Sequence, residues 1–248
     1  MANEKWTVTF EVSRQKEGQP RQFQKFTLEV DPDEYVLDGV ERVWAFHDRS
    51  LTYRHACHHS TCGACGMLVN GTEKLTCITP IRSVTHNGGT LKIEPLRNFP
   101  VLSDLVVDMS QFYLAIESTG MNQVAALKDA CLPYEGKIRP SQSGYERLVD
   151  CLECGMCVSA CPGALTSSSY LGPAMMAAAH HTNQTKEDFH LLDLVDNQNG
   201  LWRCHSAFEC SAVCPSNVDP AWRIMDLRRK VTAYRIRRWF GVKELNNE

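Results

Sequence analysis

Long apolar runs are missing from this chain. No stretch of its 248 residues reaches the about 18 consecutive apolar positions of a membrane span, so it is expected to carry no transmembrane segment of its own. The opening Met-Ala-Asn-Glu-Lys-Trp has neither the apolar core of a secretory signal nor the Arg- and Ser-rich character of an organellar presequence. A reducing cytoplasm is therefore the expected compartment. Charge of one sign is missing too: 26 Lys and Arg against 29 Asp and Glu leave a net −3, which fits neither a nucleic-acid binder nor an acidic disordered tail. Apolar residues, at 43%, suffice for one large or two moderate cores.

Cysteine, by contrast, is abundant, with 12 residues. A disulfide framework needs an oxidising compartment and usually a small, core-poor domain, and neither condition is met. Eleven of the cysteines fall into three spaced groups. Cys57-x4-Cys62-x2-Cys65, followed by Cys77, has the plant-ferredoxin spacing for a [2Fe–2S] centre. Cys151-x2-Cys154-x2-Cys157-x3-Cys161-Pro162 is the bacterial-ferredoxin run. Cys204-x5-Cys210-x3-Cys214-Pro215 is that run with Ala207 where one cysteine should stand. Zinc competes as a reading because it also uses Cys-x2-Cys pairs, but three cysteines at every third position followed by Cys-Pro do not fit one tetrahedron.

In two-cluster ferredoxins the fourth cysteine of each run serves the other cluster. Applied here, Cys151, Cys154, Cys157 and Cys214 are the expected ligands of a [4Fe–4S] centre. Cys161, Cys204 and Cys210 are left for a second cubane that Ala207 deprives of one ligand. That makes it [3Fe–4S], or a [4Fe–4S] with water on its fourth iron. Around the first centre, Gly63, Ala64 and Gly66 let backbone N–H groups approach the sulfurs. His58 and His59 sit in the same loop. A Rieske centre would use two such histidines, but four cysteines make that unnecessary, and both are expected to face solvent. Cys131 belongs to no group and reads as a buried structural cysteine. Three centres in one chain suit passage of single electrons between two partners.

The expected fold class is α+β: an N-terminal β-grasp [2Fe–2S] domain over residues 1–110, a connecting segment over 111–140, and a helical two-cluster domain over 141–248. Trp6, Val8, Phe10 and Val12 alternate as a half-buried strand does, as do Phe26, Leu28 and Val30. Val36, Val40, Val43 and Trp44 recur at helical spacing behind a possible cap at Asp33. Asn70-Gly71 marks a hairpin between Met67 and Cys77, and Leu91 to Glu94 reads as a last strand. Leu102, Leu105, Val106 and Met109 suggest an amphipathic helix, and Pro173 to His181 another. From Ala221 to Lys243 eight Lys or Arg stand against the single acid Asp226, interleaved with Trp222, Tyr234, Trp239 and Phe240.

From about residue 6 to 222 the chain resembles the iron–sulfur subunit of succinate dehydrogenase and fumarate reductase. The resemblance rests on Asp104-Leu105-Val106-Val107-Asp108-Met109-Ser110-Gln111-Phe112-Tyr113, the three cysteine groups in order, Leu171-Gly172-Pro173-Ala174, and Cys204-His205-Ser206. It implies a flavoprotein partner with covalent FAD, a membrane anchor that binds quinone, and a peripheral place on the cytoplasmic face of the cell membrane. It also implies that the Cys57 group faces the flavin and that Cys161, Cys204 and Cys210 face the quinone. Pro162 and His205 match positions beside that quinone; the histidine would donate to a quinone oxygen or orient the cluster loop. One departure stands out: Pro162-Gly163-Ala164-Leu165-Thr166-Ser167 lacks the tryptophan many ubiquinone-linked relatives carry, which leaves menaquinone open. The basic C-terminal segment would lie against anionic lipid or the anchor, or form a solvated helix. Two other roles compete: the iron–sulfur subunit of another flavin-linked dehydrogenase complex, and a free-standing ferredoxin-type carrier.

Overall fold

The computed structural model describes residues 5–120, 151–185 and 188–240. The two alternating runs become strands β1 (Trp6–Arg14) and β2 (Gln22–Val30), paired antiparallel with Phe10 opposite Phe26. Val8, Phe10 and Val12 are fully buried, so the period of two lays one apolar face on the core. Helix α1 (Val36–Arg42) packs on that face and runs into a π-helical turn over Val43–His47. Its cap differs from expectation. The Asp38 carboxylate accepts the Tyr35 N–H at 2.9 Å, while Asp33 is taken up by the preceding turn, its N–H donating to Asp31.

Strands β3 (Gly66–Val69) and β4 (Thr72–Leu75) form the expected hairpin, with Asn70 and Gly71 at φ of 50° and 82° as a type I′ turn demands. Strand β5 (Thr90–Glu94) enters between hairpin and β1, parallel to β1 and antiparallel to β3. The order β2-β1-β5-β3-β4 with a helix on one face is the mixed, β-grasp-like sheet of an α+β protein.

The helix expected on Leu102 to Met109 is not there. Strands β6 (Val101–Ser103) and β7 (Val106–Val107) take its place, and α2 begins only at Ser110 (Ser110–Glu117). Asp104 decides this. It is 3% exposed and left-handed at φ 47°. Its carboxylate accepts from Arg14 Nε, the Gln15 N–H and the Thr52 N–H at 3.1, 3.0 and 2.9 Å. Three donors on a buried carboxylate outweigh the few tenths of a kcal/mol that separate residue propensities.

The second half is helical: α3 (Met156–Ser159), α4 (Pro162–Thr166), α5 (Gly172–Thr185), α6 (Phe189–Val195), α7 (Glu209–Ala212) and α8 (Pro220–Trp239). The expected helix on 173–181 is α5, buried from Ala174 to His180. Its Met175 and Met176 share a core with Leu191 and Leu192 of α6 and Ile224 and Leu227 of α8. Asp219 caps α8, accepting the Trp222 N–H at 3.2 Å, with Pro220 in the first turn. Among the described residues no helix is long and apolar enough to cross a membrane.

The two halves share one core, in which Leu37, Leu75 and Leu96 meet Phe112, Met156 and Ala174. Helix α2, placed by the sequence in the connecting segment, thus packs with α5 through Phe112 and Ile116. Residues 121–150, with Cys131 and the 140/141 boundary, lie outside the described residues. Polar bonds lock the same seam. The buried Glu73 of β4 accepts from Ser159 Oγ at 2.7 Å and Arg97 Nη2 at 2.9 Å, and Asn98 Nδ2 donates to the Val158 and Ser159 carbonyls at 2.8 and 3.0 Å.

Gly39 is the close-approach point of α1 on the sheet, since a Cβ there would overlap the Phe10 ring. Alanine would gain about 1 kcal/mol of helix propensity, against about 1–3 kcal/mol for overpacking. Gly39→Ala should therefore lower the melting temperature of the anaerobic protein by several degrees. Adding Phe10→Leu to that chain should recover part of the loss.

Candidate metal centres

The first cysteine group surrounds a loop between the π-helical turn and β3, closed by Cys77 in the 3₁₀ turn Thr76–Ile78. Cys57 Sγ accepts the N–H groups of His59, Thr61 and Cys62 at 3.5, 3.3 and 3.4 Å. These donors, His59 foremost, bring its thiol down to about 6. Cys77 is pushed up to about 11, first by burial and then by its contact with Cys65. One loop thus gathers a ready thiolate and a reluctant thiol. Gly63 lies at the tip with φ 71°, and a Cβ on it would come within 2.7 Å of Cys154 Cβ and 2.9 Å of the Leu152 carbonyl. The first loop therefore rests directly on the second cysteine group.

Two cavities follow. Cys151, Cys154, Cys157 and Cys214 line one. Cys161, Cys204 and Cys210 line another, together with Pro162, His205 and Ala207. The fourth cysteine of each run thus lines the cavity of the other run. Burial first, then mutual charge, pushes these thiols up: Cys154 to about 11, Cys210 to about 12, and Cys157 well above its ordinary value. Cys157 feels the charge of Cys210, so the two cavities are electrostatic neighbours.

Such thiols stay protonated unless a cation claims them, and coordination deprotonates a thiol outright. The spread of the sulfurs bears on which cation. One tetrahedral zinc with bonds of about 2.3 Å needs its sulfurs about 3.8 Å apart. Among the described residues no three cysteine sulfurs gather that tightly. Wider spacing round a larger anionic group, as in a cluster, suits both cavities.

Two buried donors without partners among the described residues point the same way. Arg223 is fully buried; its Nε donates to the Val218 carbonyl at 2.9 Å and its Nη1 lies 3.4 Å from His180 Nδ1, yet Nη2 has no partner. Burial lowers its pKa while the charges of Asp219 and Cys151 oppose that shift. The Tyr170 hydroxyl lines the three-cysteine cavity and is also unpartnered. Burial, then the charges of Cys204, Cys161 and Cys210, raise its pKa. Orphan donors cost free energy unless an acceptor arrives, and cluster sulfide would be one. Sequence reasoning missed both residues, because Tyr170 reaches its cavity, and Arg223 comes within the field of Cys151, only through tertiary packing.

Pro162 and His205 stand together at the rim of the third cavity beside Ala207, with exposed Leu165 and Phe208 near by in the chain. His59 is exposed and its Nδ1 meets the Cys57 carbonyl. His58 is exposed as well, but its ring is turned toward Glu41 and His55.

Known proteins match this arrangement. A family described as 2Fe-2S iron-sulfur cluster binding domain covers residues 9–114, and one described as 4Fe-4S dicluster domain covers residues 147–218. The fumarate reductase iron-sulfur subunit of Haemophilus influenzae is 34% identical over 213 residues, 79% of this chain and 81% of that protein. The fumarate reductase iron-sulfur subunit of Mycobacterium tuberculosis is 34% identical over 233 residues, 91% of this chain and 92% of its own length. Among solved structures, a chain of the Mycobacterium smegmatis Sdh1 complex in the apo form shares the fold, with a TM-score of 0.77 and 23% identity over 93% of this chain and 98% of that one.

Donors to cluster sulfur favour the more negative, reduced state. Tyr170→Phe should therefore lower the potential of the third centre while leaving its iron content unchanged. A redox titration followed by electron paramagnetic resonance (EPR) reads the shift, and the [2Fe–2S] signal is the internal control.

Proposed function

We propose that this chain, which belongs to the family of iron–sulfur subunits of fumarate reductases and succinate dehydrogenases, carries single electrons between an FAD-bearing flavoprotein and a quinone held at a membrane anchor. Cys57, Cys62, Cys65 and Cys77 would hold [2Fe–2S]. Cys151, Cys154, Cys157 and Cys214 would hold [4Fe–4S], and Cys161, Cys204 and Cys210 would hold [3Fe–4S]. When bound, such clusters take up and release one electron at a time.

The observation that carries the reading is the row in which the chain sets these sites. Gly63 brings the first loop onto Cys154 of the second group, and Cys157 of the second lies in the field of Cys210 of the third. The first site thus rests on the second, and the second lies in the field of the third. One end, the Cys57 loop, is exposed and suits a flavoprotein. The other is the rim with Pro162, His205, Leu165 and Phe208, which offers a quinone an apolar edge and one imidazole. The absence of an aromatic over 163–167 favours menaquinone over ubiquinone. Helix α8 ends in Arg237, Arg238 and Trp239 and is followed by Phe240, the two aromatics 86% and 80% exposed, a surface that suits an anchor or anionic headgroups. The chain would sit peripherally on the cytoplasmic face of the cell membrane, with the substrate site on the flavoprotein.

Two measurements test this. In the complex purified with its flavoprotein, succinate should reduce all three centres, and Gly63→Ala should slow electron arrival at the second and third in freeze-quench EPR. Ala207→Cys should replace the oxidised-state [3Fe–4S] signal by a [4Fe–4S] centre of lower potential. An unchanged [3Fe–4S] signal rejects the ligand set. A chain that purifies without a flavoprotein and accepts no electrons from one rejects the role.

A further inference from the structure

One set of ligating side chains is left unused by the electron-transfer role. Helix α1 carries Glu41, and the segment entering the first cysteine loop carries His55 and His58. His55 Nδ1 lies 3.2 Å from Glu41 Oε1, His58 Nε2 lies 3.3 Å from the same oxygen, and the two ring nitrogens are 3.0 Å apart. The three atoms form a nearly equilateral triangle. A tetrahedral zinc ion with Zn–N and Zn–O bonds of about 2.0–2.2 Å holds its donor atoms about 3.3 Å apart, so this triangle matches one face of such a shell.

Satisfaction of the groups points the same way. Glu41 Oε1 is shut off from solvent and, among the described residues, accepts no hydrogen bond, although both imidazole nitrogens are within 3.3 Å of it. A buried carboxylate oxygen left so is costly, and a cation shared with the two rings removes the cost. His55 is fixed by stacking on Tyr53, with ring centroids 5.1 Å apart and planes 18° from parallel. His58 meets His55 edge-on at 5.1 Å. Both histidines are exposed, so an ion can enter from solvent and the fourth position stays open.

We propose that Glu41, His55 and His58 form a binding site for a divalent transition-metal ion of the zinc class, separate from the cysteine cavities. His58 directly follows Cys57, so the ion would place positive charge beside the first cysteine loop and raise the potential of a [2Fe–2S] centre held there. The site would let a divalent cation set the ease with which electrons enter the row.

The test uses the full chain with its clusters assembled anaerobically and passed over a chelating resin. One equivalent of Co²⁺ should produce the visible bands of a tetrahedral site, one equivalent of Zn²⁺ should remove them, and Zn²⁺ should raise the [2Fe–2S] potential in an EPR titration. Glu41→Gln and His55→Gln should each weaken Co²⁺ binding by at least the about 10–100-fold that loss of an outer-shell partner costs, with the [2Fe–2S] EPR amplitude unchanged. If one of these disturbs that amplitude, the other carries the comparison. Co²⁺ bands that persist undiminished in both variants, or no binding up to about 100 μM Co²⁺ by the cluster-loaded wild type, overturn the proposal.

Discussion

Holding negative charge on sulfur away from water, as the proposed ligand set would require, is the constraint on which the reading of the helical half depends. A buried thiolate needs either N–H donors or a cation, and the chain supplies the first in advance of the second. Its shortest helices make sense in those terms. Cys161 is the N-cap of α4, and Gly163 and Ala164 in the first turn donate their N–H groups toward its sulfur. Pro162 stands at the one first-turn position where a missing N–H is not needed. The Cys-Pro signature thus turns a helix N-terminus on a cysteine sulfur. Ser206 and Val218 extend the same service to Cys204 and Cys214, each at 3.4 Å.

Electron passage adds a second requirement, that the sites hold their separations. The seam between the halves answers it with redundancy. The apolar core of Leu37, Leu75, Phe112 and Met156 resists separation. The Glu73, Ser159, Arg97 and Asn98 bonds fix rotation and register. Glu73 is 4% exposed, a placement that is tolerable only because two donors meet its carboxylate. Asn98, left-handed at φ 64°, spends its amide on three carbonyls of the segment that carries Cys157 and Cys161, so the first domain directly braces the loop that spans both cavities.

Much of this was legible from periods and spacings, because those are local properties. The alternation of β1, the Asn70-Gly71 turn and the crossed cysteine runs each lie within about a dozen residues or repeat a fixed offset. What the sequence hid is what tertiary partners decide. The run 102–109 carries helical spacing, but Asp104 is claimed by Arg14, Gln15 and Thr52 from far along the chain. Helix α6 went unseen beside the polar Asn197, Asn199 and Gly200, since its Leu191, Leu192 and Val195 bury only once α5 and α8 are present. Tyr170 and Arg223 carry no motif of their own. Their importance lies in a hydroxyl and a guanidinium nitrogen that find no partner among the described residues.

The third cavity shows how a missing residue can be placed as deliberately as a present one. Cys161 and Cys210 sit in the wall and are buried, whereas Ala207 stands at the exposed rim with His205. On the proposed ligand set, the corner that lacks a thiolate is therefore the corner that faces out. A fourth sulfur there would add negative charge where an acceptor must approach and would favour the oxidised centre. Removing it lowers the charge at the exit and leaves the inner thiolates shielded. On the same proposal, His205 beside the gap would place an imidazole where the electron leaves. The row would then run toward higher potential at its outer end for an electrostatic reason visible in one substitution: alanine in the position where the first run has cysteine.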